Sequence, residues 1–228
     1  MISLEETVPA FLKHLASLPS SHAVTLVAVS KTQSAERLRA AFHCGLTRFG
    51  ENYVQEAIDK QLLLHDLSIE WHFIGPLQSN KSKPVAEHFD WVHSIDRLKL
   101  AQRLSSQRPS HLAPLQVCIQ VNVSGEESKS GVAPIEVLGL AQSIQTLPGL
   151  QLRGLMAIPE PSSDEKRLRS RFAQLRSLQS HLKQNGIDID TLSMGMSADF
   201  GIAIEEGATL IRVGSALFGS RAPRILNE

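Results

Sequence analysis

Cysteine is scarce in this chain. Its 228 residues include two, Cys44 and Cys118, which lie far apart and fit no metal or redox motif. That excludes a disulfide framework, and the pair reads as ordinary buried thiols in a reducing compartment. Excess charge of either sign is also missing, with 23 basic and 23 acidic residues. Nothing therefore steers the protein toward nucleic acid or an anionic membrane. No apolar run approaches the ~18 residues of a membrane helix. The start, Met1-Ile2-Ser3-Leu4-Glu5-Glu6, is acidic where a signal peptide would be basic and then apolar. The nine histidines form no pair at metal-ligand spacing. Low-complexity linkers and composition breaks are absent as well. A cytoplasmic, monomeric protein is expected, with one domain over residues 1–228 and neither a structural metal nor a nucleic-acid or membrane partner.

What the chain does have is alternation. Strand-like runs at Val24–Ser30, Arg48–Gly50, Trp71–Ile74, Trp91–Ser94, Leu115–Val123, Leu152–Ala157, Thr191–Gly195 and Leu210–Val213 are separated by helix-like stretches. Short apolar strands in that arrangement argue for parallel βα units. Eight of them argue for an α/β fold of one closed (β/α)8 TIM barrel, near the small end of its size range. Helix ends are marked too. Ser34 and Asp96 are placed as N-caps, and Pro134 suits a first helical position. Ser162 and Glu165 have capping-box spacing ahead of Leu168, Phe172, Leu175, Leu178 and Leu182. An extra N-terminal helix, with Val8, Phe11, Leu12 and Leu15 at helical spacing, is expected to cover the barrel bottom.

In such a barrel, chemistry belongs at the C-terminal ends of the strands. The first of these ends in Val29-Ser30-Lys31-Thr32. A lysine held there is partly desolvated, which lowers its pKa and makes it a nucleophile toward aldehydes. The alternative is a solvated lysine just past a strand. Other strand ends carry Glu51 with Asn52 and Tyr53, His93 with Ser94, and Gln120 with Asn122. Gln116, Gln120 and Asn122 share one face of strand 5. They need partners inside, either a ligand or one another and water.

Two segments look built for an anion: Ser193-Met194-Gly195-Met196-Ser197-Ala198-Asp199 and Arg212-Val213-Gly214-Ser215. Barrels often hold a phosphate between the loops after strands 7 and 8, where free N–H groups favour it. Gly214 lets the backbone approach, and Ser197 and Ser215 add hydroxyls. Read singly, Ser197 is also a plain N-cap and Gly214 a plain turn. A reactive lysine with a phosphate cradle suggests a ligand bearing both an aldehyde and a phosphate, such as pyridoxal 5′-phosphate. Arg212 then has a role. A guanidinium only donates, so a pyridine nitrogen facing it stays unprotonated and the ring is a weak electron sink. A salt bridge to Glu205 or Glu206 is the other reading of Arg212.

These segments resemble the pyridoxal phosphate homeostasis proteins of the YggS/PROSC type. The resemblance runs through Leu26–Thr32, Phe49–Glu56 and Trp71–Lys81, then Gln120–Val123 with Lys129-Ser130-Gly131, and on through Leu152–Met156, Leu192–Ser197 and Ile211–Gly214. It implies a barrel similar to the N-terminal domain of alanine racemase, with the cofactor lysine at Lys31. It further implies Asn52 near the pyridoxal 3-oxygen and Arg212 at the pyridine nitrogen. The phosphate contacts fall on Ser197, Gly214 and Ser215, with Met196 in the same loop. The family often reads Lys-Thr-Lys where this chain has Lys31-Thr32-Gln33, so a cofactor-exchange role for a second lysine there is not expected.

The implied function is carriage of the cofactor as a Lys31 imine in intracellular homeostasis, without amino-acid catalysis. Pyridoxal phosphate-dependent enzymes would be its transient recipients. A compact racemase or lyase is the alternative. A racemase needs a base on each face of its substrate; related racemases bring a tyrosine from a second domain. Here the barrel takes up the residues, and Tyr53 is the only tyrosine. His93 and Lys81 remain candidate bases. A phosphosugar-binding barrel with an imine-forming lysine fits the loops but leaves Arg212 unexplained.

Overall fold

A computed structural model describes residues 3–19, 24–125 and 130–219. Its strands are β1 (Thr25–Val29), β2 (Arg48–Glu51), β3 (Glu70–Phe73), β4 (Trp91–Ile95), β5 (Leu115–Gln120), β6 (Leu150–Met156), β7 (Thr191–Ser193) and β8 (Leu210–Val213). They pair in parallel in chain order, and β8 returns to β1 to close the barrel. Each expected strand is present, with ends displaced by up to three residues. β5 stops at Gln120 because the next peptides turn to the returning loop: Asn122 N donates to Val132 O, and Val132 N to Gln120 O. Past the end of β7, pairing with β8 continues through Met194 N to Leu210 O and Arg212 N to Gly195 O.

The helices are α1 (Leu4–Ser17), α2 (Ala35–His43), α3 (Val54–Leu63), α4 (Ser82–His88), α5 (Leu98–Gln107), α6 (Val137–Gln145), α7 (Glu165–Gln184), α8 (Phe200–Glu205) and α9 (Ser215–Phe218). None of the described helices is long and apolar enough to cross a membrane. Ser34 caps α2 as expected, accepting from Arg37 N. Two caps differ. Arg97, not Asp96, precedes α5, and Asp96 instead pairs with the Arg97 guanidinium. α7 is capped by Asp164, which accepts from Lys166 N at 2.9 Å and Arg167 N at 3.3 Å. Ser162 accepts from Asp164 N and so braces the cap rather than forming the box. Pro134 opens a 3-10 turn, Pro134–Glu136, that leads into α6. α1 does not cover the bottom. It packs on the barrel's side against α2 and α9, with the Phe11 and Phe200 rings 5.3 Å apart.

Side chains alternate between two environments. Ala28, Phe49, Phe73, Val92, Ile119, Leu155 and Ile211 are buried outward, against helix residues such as Leu38, Leu100 and Phe172. Each large side chain buried there contributes roughly 1.5–3 kcal/mol. The lumen is different. Register pairs Val27 with Arg212, Gly50 with His72, and His72 with Trp91, so these point inward together. Its apolar part includes Val27 and a small cluster of Trp91, Cys118 and Met156. Its polar part includes the buried His72, His93, Ser193 and Arg212. Gly154 on β6 is where two backbones touch: a Cβ there would lie 1.8 Å from Thr191 O. Glycine at that point lets β6 and β7 pair and close the barrel.

Candidate functional site

The C-terminal mouth holds a cavity of about 280 Å³, near the lower end for small-molecule sites (~300 Å³). Lys31, Met196, Ser197, Arg212, Gly214 and Ser215 all line it. Six of the seven expected site residues are thus brought together from β1, β7 and β8. Asn52, the seventh, lies outside the lining, two residues past Gly50 as Lys31 lies two past its register partner Val29. Its buried Oδ1 has no hydrogen-bond partner, a cost that a donor on a bound molecule would relieve.

Lys31 is held through the peptides beside it. Ser30 is buried, with its hydroxyl donating to Glu51 Oε1 at 2.6 Å. Lys60 of α3 reaches under the strand and donates to Ser30 O at 2.8 Å, Glu51 Oε1 at 2.7 Å and Glu56 Oε1 at 2.6 Å. Glu56 Oε1 in turn accepts from Thr32 N at 2.5 Å. Thr32 has φ +67°, a left-handed conformation that costs a β-branched residue energy. The strain persists because Lys60 and Glu56 clamp both sides of Lys31. Burial pushes the Glu51 carboxyl above its usual range, with Lys60 opposing. Lys60 was not evident as a site residue in the sequence. Its one signal is the Glu56/Lys60 spacing of four, which also describes any solvated helix pair.

The two loops expected to hold an anion meet at Ser197 and Gly214. Ser197 Oγ accepts from Gly214 N at 3.3 Å and Ala216 N at 3.4 Å. Ser197 is therefore not the cap of α8; Asp199 holds that place and accepts from Met196 N at 2.6 Å. A Cβ on Gly214 would sit 3.3 Å from Val29 Cβ, so glycine lets this loop lie close on β1. Arg212 is 3% exposed and forms no salt bridge to Glu205 or Glu206. Those carboxylates pair with Arg169 and Arg176. Arg212 instead donates to Ser193 Oγ at 2.6 Å and Ala157 O at 2.9 Å. Burial lowers its pKa to about 10, which leaves it protonated at neutral pH.

The remaining strand-end candidates resolve differently. His93 is fully buried below the cavity, while Lys81 is exposed on a 3-10 turn before α4. Tyr53 is 51% exposed at the start of α3. The strand 5 amides find protein partners. Gln116 accepts from Arg153, Gln120 donates to Ser130 O, and Asn122 accepts from Gly125 N. Lys129, part of the resembling segment, lies outside the described residues. The opposite mouth carries wider grooves lined by Glu70, Trp91 and Arg153. Their charges are engaged locally: Arg153 with Asp190, and Glu70 with Arg48 and His72.

Comparison with known proteins defines the class. The family model for the alanine racemase N-terminal domain matches residues 10–222, and the chain belongs to that family. It is 59% identical over 198 residues to the pyridoxal phosphate homeostasis protein of Pseudomonas aeruginosa, covering 87% of this chain and 85% of the relative. That places it within the pyridoxal phosphate homeostasis proteins. Among solved structures, PipY of Synechococcus elongatus with pyridoxal phosphate bound is 38% identical, with a TM-score of 0.86. The match covers 95% of this chain and 100% of PipY. Alanine racemase of Corynebacterium glutamicum shares the fold at 17% identity and a TM-score of 0.73, over 96% of this chain and 61% of the racemase.

Proposed function

We propose that this protein binds pyridoxal 5′-phosphate in the cavity over β1, β7 and β8. There it serves as a carrier in cofactor homeostasis rather than a catalyst on amino acids. When bound, the cofactor supplies an aldehyde that condenses reversibly with primary amines, a phosphate dianion and a pyridine nitrogen. The chain's residues fit that set of groups. Lys31 brings a primary amine to one wall. Ser197, whose oxygen accepts from Gly214 N and Ala216 N and so keeps its own hydrogen to donate, brings a hydroxyl to another. Ser215 adds a second hydroxyl, and Asn52 keeps an unmet acceptor nearby.

Arg212 carries the reading. A buried cation beside a cavity needs a reason, because desolvation penalises it. An acceptor nitrogen on the bound molecule supplies one. Arginine has no lone pair to take a proton and offers only N–H donors. A pyridine nitrogen facing it is held as an acceptor and kept unprotonated. That leaves the ring a weaker electron sink for amino-acid chemistry. The same wall that binds the cofactor thus restrains it, which suits storage and delivery. Pyridoxal phosphate-dependent enzymes are the natural recipients.

No observation favours the racemase alternative. His93 does not line the cavity, Lys81 and Tyr53 do not either, and among the described residues no second base lines it opposite Lys31. The test is direct. Protein mixed with pyridoxal phosphate should show a visible absorption band. Borohydride should then fix a pyridoxyl group on Lys31, located by mass spectrometry, and Lys31→Ala should lose the band. An adduct on Lys81 or Lys129 in place of Lys31 would refute the site.

A further inference from the structure

We infer that His93 is a positioning residue for Arg212, acting through Ser193 in a one-way chain of hydrogen bonds that crosses the barrel lumen to Glu70. The cofactor half of this inference rests on the functional reading above. The chain has four links. Arg212 Nη1 lies 2.6 Å from Ser193 Oγ. Ser193 Oγ lies 2.8 Å from His93 Nδ1. His93 Nε2 lies 2.9 Å from His72 Nδ1, and His72 Nε2 lies 2.8 Å from Glu70 Oε1. His72, His93 and Ser193 are fully buried, while Glu70 opens to the opposite mouth of the barrel.

The direction of every link is fixed from both ends. Arginine only donates, so Ser193 Oγ must accept from it. The serine hydrogen is then available to His93 Nδ1. From the other end, a carboxylate only accepts, so His72 donates through Nε2 and its Nδ1 must accept. His93 therefore carries its hydrogen on Nε2 and accepts at Nδ1. The two deductions meet without conflict at the His93–His72 link. Both histidines are neutral in this scheme. Burial pushes both below their usual pKa, and for His93 the Arg212 charge adds to that push. Aligned bonds of this kind polarise one another and strengthen the whole.

The consequence falls on Arg212. One of its anchors, Ala157 O, is backbone. The other, Ser193, is a rotatable hydroxyl. Alone, that hydroxyl could turn its hydrogen toward Arg212 and repel it. His93 Nδ1 takes that hydrogen and leaves a lone pair facing the guanidinium. His93 thus sets which way Ser193 points, and Ser193 sets where Arg212 can point. His72 stacks on Trp91, with rings 5.4 Å apart and 15° from parallel, and so holds the next link in place. None of these residues lines the cavity, so each acts on a bound molecule only through Arg212.

Two measurements test this. The first uses the protein without cofactor. Nitrogen-15 NMR of the imidazoles should show His72 and His93 neutral at pH 7.5, both protonated at Nε2. A charged ring, or the Nδ1–H form at either, overturns the chain whether or not the cofactor binds. The second uses pyridoxal phosphate labelled with nitrogen-15 in its ring. Bound to the wild type, that nitrogen should resonate as an unprotonated acceptor. His93→Phe keeps a ring but removes both nitrogens. It should shift this resonance and weaken binding about tenfold. Ser193→Ala, a smaller change, should do the same if the phenylalanine variant fails to fold. His93→Gln, whose amide offers one acceptor and one donor, should restore most of both. A purely structural role for His93 would lower thermal stability yet leave the bound nitrogen's resonance unchanged, and that result overturns the positioning role. If the wild type binds no pyridoxal phosphate, the functional reading falls and the cofactor half falls with it.

Discussion

Lys60→Met removes the cation under Lys31 while nearly preserving the side chain's length. Lys60 and Glu51 are 7% and 0% exposed at their side chains. Methionine cannot donate, so Glu51 stays buried without its partner and Ser30 O loses a donor. Breaking one side of a buried pair costs about 3–5 kcal/mol, because a charge is left uncompensated. At about 2–4 °C per kcal/mol for a chain of this size, Tm should fall by roughly 6–20 °C. Calorimetry on the purified variant reads this directly. The double variant Lys60→Met with Glu51→Leu removes both charges and should recover most of the loss. The pH dependence carries a second sign. Burial already raises the Glu51 carboxyl, and Lys60 opposes that rise. Without Lys60 only the Ser30 hydrogen bond still opposes that rise. A carboxyl with a raised pKa in the folded state binds its proton more tightly when folded. Its contribution is present below the unfolded value and lost as pH rises through the folded one. The variant's deficit should therefore be smaller at pH 5 than at pH 8. Borohydride trapping on Lys31, read where the variant is still folded, should also weaken as Thr32 relaxes. A double variant no more stable than Lys60→Met, or an equal deficit at both pH values, refutes the reasoning.

Three further outcomes are expected. Ser197→Ala should weaken pyridoxal phosphate binding about tenfold or more, since a hydrogen bond to a charged group is worth ~1.5–3 kcal/mol; unphosphorylated pyridoxal should be spared, and equal losses in titrations of both would point to a collapsed loop. Gly154→Ala should lose at least the ~1–3 kcal/mol typical of overpacking, because its Cβ meets the Thr191 backbone, whereas Gly139→Ala, with open space around it in α6, should be neutral or stabilising; matched denaturant melts decide. The loaded protein should not exchange the α-hydrogen of alanine or serine for solvent deuterium at enzyme-like rates (~1 s⁻¹ or faster). Such exchange, abolished by Lys31→Ala, would reverse the carrier reading in favour of a racemase.

The fold was legible because each strand is buried on its outer face and short, so each appears as an apolar run between turn signals. The cavity residues were legible for a related reason. A closed parallel barrel brings every strand's C-terminal end to one mouth, so Lys31, Met196, Ser197, Arg212, Gly214 and Ser215 converge once eight strands are counted. Helix starts were less legible. Near α7, both Ser162 and Asp164 offer capping oxygens, and only the backbone path selects Asp164. Lys60 was hidden by its helix, since nothing local distinguishes a cation that faces water from one that faces the underside of β1. The lumen was hidden for another reason. Strands of three to five residues give too few alternations to say which face turns inward, so His72, His93 and Ser193 meet only through the register of β3, β4 and β7.

That lumen also explains why its polar residues come as a set. Barrel interiors are ordinarily filled by branched apolar side chains. Here the apolar share includes Val27, Trp91, Cys118 and Met156, and a polar column stands beside it. Each polar group would cost a few kcal/mol if buried alone. The cost is offset here because every link has a partner, from Ala157 O through Arg212 to Glu70. Removing an interior member leaves two neighbours unmet, so single substitutions at Ser193, His93 or His72 should be worse than their size suggests. Replacing the interior members together by apolar residues would relieve the histidines but strand Arg212, whose charge has no other side-chain acceptor among the described residues. The column is thus tied to the arginine, and the arginine to what the cavity holds.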